Sequence, residues 1–86
     1  MYKVDISQVA AEEIEKIFYA DRRIYKRIMA ALVSLQTDPL QGKLLSRELK
    51  GRRSLRVGNY RIIYAVLHQA LVVQVIDVGH RREIYR

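Results

Sequence analysis

Two alternating arms, Arg53–Val57 and Tyr60–Leu67, flank the pair Gly58-Asn59, and no other feature restricts the fold of this chain as tightly. Both turn residues tolerate positive φ, so the pair suits a two-residue hairpin with antiparallel arms. His68-Gln69-Ala70 turns the chain again, and Leu71 to Val78 returns as a nearly continuous apolar run. Such a run predicts a central strand covered on both faces. The three runs therefore form a meander. Tyr2 to Ile6 alternates as well and predicts a short opening strand beside it.

Between the opening strand and the meander the period changes. Ser7 is a good N-cap, and Val9, Ala10, Ile14, Ile17 and Phe18 follow at helical spacing. Asp21 caps a second helix with Ile24, Ile28, Ala31, Leu32 and Leu35 along one face. Thr37-Asp38-Pro39 ends it, because the residue before proline disfavours the helical region. Two helices joined so closely form an antiparallel helical hairpin. Residues 41–51 read as irregular, tacked down by Leu44, Leu45 and Leu49. The expected fold class is α+β: an N-terminal strand, a helical hairpin and a three-stranded antiparallel meander, with the helices on one sheet face. Eighty-six residues leave room for a single domain, 1–86.

The hairpin carries a geometric consequence. With Gly58 and Asn59 as its loop, Arg56 stands opposite Arg61, both side chains on one face with Cβ atoms about 5 Å apart. Leu55, Val57, Ile62 and Val66 fall on the other face, which meets the helices. The arginine face is then the open one. Two opposed guanidiniums repel, and no acid lies close in sequence, so the pair calls for a distant carboxylate or a bound anion. Guanidinium suits phosphate because its planar fork donates two parallel hydrogen bonds.

Charge is distributed in the same sense. The net charge is +7; residues 1–42 hold six Lys/Arg against six Asp/Glu, so residues 43–86 carry all of it. Lys43, Arg47, Lys50, Arg52, Arg53 and Arg56 form one cluster and Arg81, Arg82 and Arg86 another, with Arg61 between. Such asymmetry is the electrostatic footprint expected for nucleic acid, RNA above all, for an anionic membrane or for an acidic protein; a solubilising surface is the plain alternative. The chain has no cysteine, which removes disulfides and thiolate metal sites. There is no HxxxH pair, carboxylate cluster or Gly-rich phosphate loop, so neither a metal nor a nucleotide cofactor is indicated. No apolar run reaches the roughly 20 residues that cross a bilayer, and no signal pattern opens the chain, so a cytoplasmic location without membrane contact is expected.

The last segment, Val78-Gly79-His80-Arg81-Arg82-Glu83-Ile84-Tyr85-Arg86, supplies further groups. His80 could move protons, and Tyr85 can stack on a base or exchange a proton. Each also has a structural reading: a surface histidine, and a tail docked through Ile84 and Tyr85. His68 falls in a turn and reads as structural.

The ordered runs Leu55-Arg56-Val57-Gly58-Asn59-Tyr60-Arg61-Ile62-Ile63-Tyr64 and Val75-Ile76-Asp77-Val78-Gly79-His80-Arg81-Arg82-Glu83-Ile84-Tyr85 resemble the C-terminal half of RelE/ParE-superfamily toxins, closest to the RelE branch. Leu49-Lys50-Gly51 and the strand-plus-hairpin beginning extend the resemblance over nearly the whole chain. It implies a toxin of a type II toxin–antitoxin system, neutralised by a cognate antitoxin that wraps an extended segment around it, with a toxin–antitoxin hetero-oligomer as one form of the assembly. RelE-like members act in the ribosomal A site, contact rRNA there and cut mRNA.

The implied chemistry is metal-free attack of an RNA 2′-hydroxyl on its neighbouring phosphate. The protein aligns the nucleophile, neutralises the developing charge and protonates the leaving oxygen. The resemblance gives the catalytic roles to Arg56, Arg61, Arg81 and Tyr85, with His80 as a second acid/base candidate. Lys43, Arg47, Lys50, Arg52, Arg53, Arg82 and Arg86 are the RNA-binding candidates. Arginine is a poor base. The family pattern has lysines where this chain has Arg52, Arg53 and Ser54, which leaves the base open between His80 and Tyr85. Two alternatives stand beside the endoribonuclease: a ParE-like inhibitor of DNA gyrase, and an inactive basic module that binds RNA or antitoxin.

Overall fold

The computed structural model describes residues 1–46 and 51–80. Its elements run β1 (Lys3–Ile6), α1 (Gln8–Ala20), α2 (Arg22–Ser34), β2 (Lys43–Leu44), β3 (Arg53–Val57), β4 (Tyr60–Leu67) and β5 (Val72–His80). The strands form one sheet in the order β1-β5-β4-β3-β2. The expected meander β3–β4–β5 is antiparallel, and β1 lies parallel to β5. The expected irregular stretch contains a strand: Lys43 pairs with Ser54, Leu44 with Arg53, and the Leu45 N–H donates to the Arg52 carbonyl at 2.8 Å. Two residues are too few to display a period, so sequence alone has no signal for β2.

Both helix starts lie where the caps place them. The Ser7 hydroxyl oxygen accepts from the Ala10 N–H at 3.1 Å. Asp21 serves two helices at once: its own N–H donates to Ile17 at the end of α1, while Oδ1 accepts from Arg23 and Ile24 at the start of α2. The helices lie on one face of the sheet. Ala10, Ile14 and Ile17 of α1, and Ile28, Leu32 and the following Leu35, form one core with Val57, Ile62, Tyr64, Val73, Val75 and Val78. Each fully buried aliphatic side chain here stabilises the fold by about 1.5–3 kcal/mol.

Two local devices fix the sheet. At the hairpin, Gly58 has φ +61° and Asn59 keeps negative φ. That is the pattern of a type II′ turn, so only the first position needs glycine. Farther on, Ile63 pairs with Asp77 but Tyr64 pairs with Val75, leaving Ile76 as a bulge in β5. A one-residue slip exchanges the faces of everything beyond it. Val73 and Val75 point to the helices before the bulge, and Val78 does so after it. Simple alternation would have carried Asp77 into the core, where an unpaired carboxylate is very costly. The odd carbonyl of Ile76 accepts from the Ser7 hydroxyl at 2.7 Å.

Tyr64 anchors the connection that follows α2. Its hydroxyl donates to the Pro39 carbonyl at 2.8 Å and accepts from the Gly42 N–H at 2.9 Å. A Cβ at position 42 would lie 2.6 Å from that hydroxyl, so only glycine permits the approach. Burial pushes the Tyr64 phenol above its ordinary pKa, against the opposing pull of the Gly42 hydrogen bond and the Arg53 charge.

Candidate nucleic-acid interface

The face away from the helices is ordered in rows by the strand registers, since directly opposed residues point the same way. One row is Arg56–Arg61–Gly79. The next is Lys43–Ser54–Ile63–Asp77, running from β2 across to β5. Three cations predicted from sequence therefore share a face. Arg56 is exposed, and its Nε donates to the Gly58 carbonyl at 3.0 Å, which folds the guanidinium back over the turn. Arg61 is half-buried one strand inward. Gly79 opposite it adds no side chain and is itself buried.

Three expectations about this face change. First, it is not open throughout: Ser54 and Ile63 are each only 4% exposed although they lie away from the helical core. On this face Arg56, Lys43 and Gln74 are exposed, while Ser54 and Ile63 between them are covered. Second, Arg53 belongs to the other side. It pairs with Tyr64, and its Nη1 donates to the carbonyls of Leu40 and Gly42 at 3.2 and 2.8 Å. It pins a loop. Third, His80 lies one residue past the arginine row. It pairs with Tyr60, whose ring stands edge-on to the imidazole at 5.5 Å, on the side of Val57 and the helices. Arg52 stands one residue before β3 and is half-buried. Arg47, Lys50, Arg81, Arg82, Tyr85 and Arg86 lie outside the described residues.

One group was missed. Asp77 joins this face in the row beside Arg61, a diagonal neighbour at a typical spacing of about 7–8 Å. Among the described residues the ion pair within 4.0 Å is Lys16–Glu13, so Asp77 does not clamp Arg61 directly. Reading along the chain could not find it, because the bulge at Ile76 decides which way it points. Among the described residues this face gathers Lys43, Arg56 and Arg61 with one carboxylate, Asp77. Cationic N–H donors on one face are the chemistry that takes a phosphate. A separate apolar groove between β1 and α2, lined by Val4, Ile6, Met29, Leu32, Val33 and Gln36, has a different chemistry and lies apart from these cations.

A helical hairpin on one face of a mostly antiparallel sheet, with opposed arginines on the other, defines a small α+β protein of RelE-like architecture. The chain belongs to the family described as ParE toxin of type II toxin–antitoxin system, parDE, whose model matches residues 4–85, and within the RelE/ParE superfamily it falls in the RelE-like branch. It is 42% identical to Toxin RelG of Mycobacterium tuberculosis over 70% of this chain and 76% of that protein. Toxin RelE of the same organism is 32% identical over 99% of this chain and 87% of the relative. Among solved structures, the toxin–antitoxin complex RelBE2 of M. tuberculosis superposes with a TM-score of 0.82 at 32% identity, covering 93% of this chain and 98% of that one.

Proposed function

We propose that this chain is a ribosome-dependent endoribonuclease, the toxin of a type II pair, acting in the cytoplasm on mRNA held in the ribosomal A site. The observation that carries the reading is the cross-strand pair Arg56–Arg61 with Lys43 on the same face. Guanidiniums on neighbouring strands of one face suit a phosphodiester, to which each can donate two parallel hydrogen bonds. In the reaction the 2′-hydroxyl attacks the adjacent phosphorus, the P–O5′ bond breaks, and a 2′,3′-cyclic phosphate and a 5′-hydroxyl result. Arg61 and Arg56 stabilise the phosphorane-like charge. Arg81 and Tyr85 are assigned from the family pattern, as a further phosphate ligand and as the group that stacks on or protonates the substrate. The requirement for a 2′-hydroxyl excludes DNA.

His80 is a weaker candidate for the base than Tyr85, since its row faces the helices. A relative of known structure is a toxin–antitoxin complex, and a cognate antitoxin is the partner we assign to this chain. The test is translation in an extract with primer extension on the message. Cuts within codons, present only with ribosomes and ending in 2′,3′-cyclic phosphate, support the assignment. Intact message with stabilised gyrase–DNA breaks would replace it with gyrase inhibition. RNA binding without cleavage by wild type would leave only a binding module.

A further inference from the structure

Strand β1 is the outer strand on one side of the sheet, and among the described residues it pairs with β5 alone. The Lys3 and Ser7 N–H groups donate to the Leu71 and Val75 carbonyls at 2.8 and 2.9 Å. Backbone groups along a strand alternate in direction, so Asp5 turns toward β5 with them. Val4 and Ile6 therefore turn their N–H and C=O groups to the outer edge, a template to which another strand can add. The open stretch begins at Val4, because the Tyr2 N–H is taken by the Gln36 carbonyl at 2.9 Å.

The side chains alternate as well. Val4 and Ile6, paired with Val73 and Val75, lie on the helical face and line the apolar groove with Met29, Leu32 and Val33 of α2. Ile6 and Val33 stay 37% and 63% exposed, so the apolar wall of that groove is unfinished. Lys3 and Asp5 point the other way, and both are exposed. Among the described residues neither has an ion pair within 4.0 Å.

The strand Lys3-Val4-Asp5-Ile6 is complementary to itself. When two such edges meet antiparallel, outward backbone groups must oppose outward ones, so even-numbered residues face even-numbered ones. Registers that set Lys3 against Lys3, or Asp5 against Asp5, oppose like charges and are disfavoured. The register between them sets Val4 against Val4. Lys3 of each copy then faces Asp5 of the other, and the two Val4 residues exchange both backbone hydrogen bonds. A lone lysine on an edge repels a second strand. With Asp5 two residues on, the same charge becomes half of a pair.

We propose that this edge is a self-association surface, on which two copies of the chain pair β1 to β1 about a twofold axis beside Val4. The contact is isologous, as in most homodimers. It joins the two five-stranded sheets into one of ten strands. The apolar grooves meet across the axis and cover Ile6 and Val33. The arginine rows of both copies lie on one side of the joined sheet, away from the contact.

The test is sedimentation equilibrium of the purified full chain at about 0.15 M salt, where repulsion between two +7 chains is screened beyond about 8 Å. A contact through one short strand is at the small end of specific interfaces, so the dimer is expected to be populated by about 100 µM. Asp5→Lys sets Lys3 against a lysine, and Lys3→Asp sets Asp5 against an aspartate. Each is expected to weaken association about tenfold or more, with unfolding unchanged. The double exchange K3D/D5K restores opposite charges in this register and leaves like charges opposed in either neighbouring one. It is expected to recover wild-type association. Wild type that stays a single chain at that concentration overturns the proposal and leaves the edge to a strand of another protein. Single exchanges that associate as wild type does, or a double exchange that stays dissociated, overturn it as well.

Discussion

Arg56 and Arg61 face each other directly across the β3–β4 ladder, like charge against like charge. Directly opposed like charges destabilise a sheet by roughly 0.2–1 kcal/mol relative to neutral pairs. Arg56→Gln removes one of these charges and also the Nε bond to the Gly58 carbonyl, so stability measured by urea unfolding is expected to change by no more than about 0.5 kcal/mol. The same substitution, and Arg61→Gln, should lower message cleavage on ribosomes about 100-fold or more, the usual cost of removing one donor to a transition-state oxyanion. A variant that cuts at the wild-type rate removes that arginine from the site.

Tyr64 tests the architecture without touching the interface. Phenylalanine in its place leaves the Pro39 carbonyl and the Gly42 N–H without their buried partner. The expected loss is about 1–3 kcal/mol, a fall in Tm of about 4–8 °C for each kcal/mol in a domain of this size. Gly42→Ala should destabilise by a similar mechanism, since its methyl group meets the same hydroxyl.

The same phenol predicts an alkaline limit. Its pKa is raised in the fold by burial above the ordinary 10.0, so the unfolded chain loses this proton first as pH climbs. The native state binds more protons in that window, and stability falls as pH increases. The contribution is therefore complete below about pH 10 and declines from there toward the elevated native value. Unfolding measured between pH 9 and 11, roughly across this window, should show a component that Tyr64→Phe abolishes. An identical pH profile in the variant contradicts it.

Asp77 places a negative charge on a surface otherwise built for anions. At about 8 Å in solvent, one such charge opposes a phosphate by roughly 0.5 kcal/mol. Asp77→Asn should tighten binding of a non-cleavable 2′-deoxy-substituted RNA by about two- to threefold at low salt, as followed by anisotropy. Weaker binding would mean that the carboxylate orients a neighbouring cation instead.

Elements that announce themselves locally were legible from the residues. Ser7 and Asp21 are caps because a short polar side chain can satisfy N–H groups two or three residues ahead. The Arg56–Arg61 opposition follows from hairpin arithmetic alone. What escaped reading depends on partners distant in sequence. β2 exists because Lys43 and Leu44 meet the edge of β3, not through any pattern of their own. Arg53 looks like its basic neighbours, yet alternation turns it toward Leu40 and Gly42.

The bulge at Ile76 acts as a phase setting for the end of β5. Removing that one residue would close the ladder without turning any later side chain, since Val75 already pairs with Tyr64 and Asp77 with Ile63. Keeping Ile76 and pairing it with Ile63 would do the opposite: Val78 would turn outward, Asp77 and Gly79 would lie against the helices, and His80 would join the arginine side. The extra residue is thus what puts a carboxylate, and not an imidazole, on the face that carries Arg61.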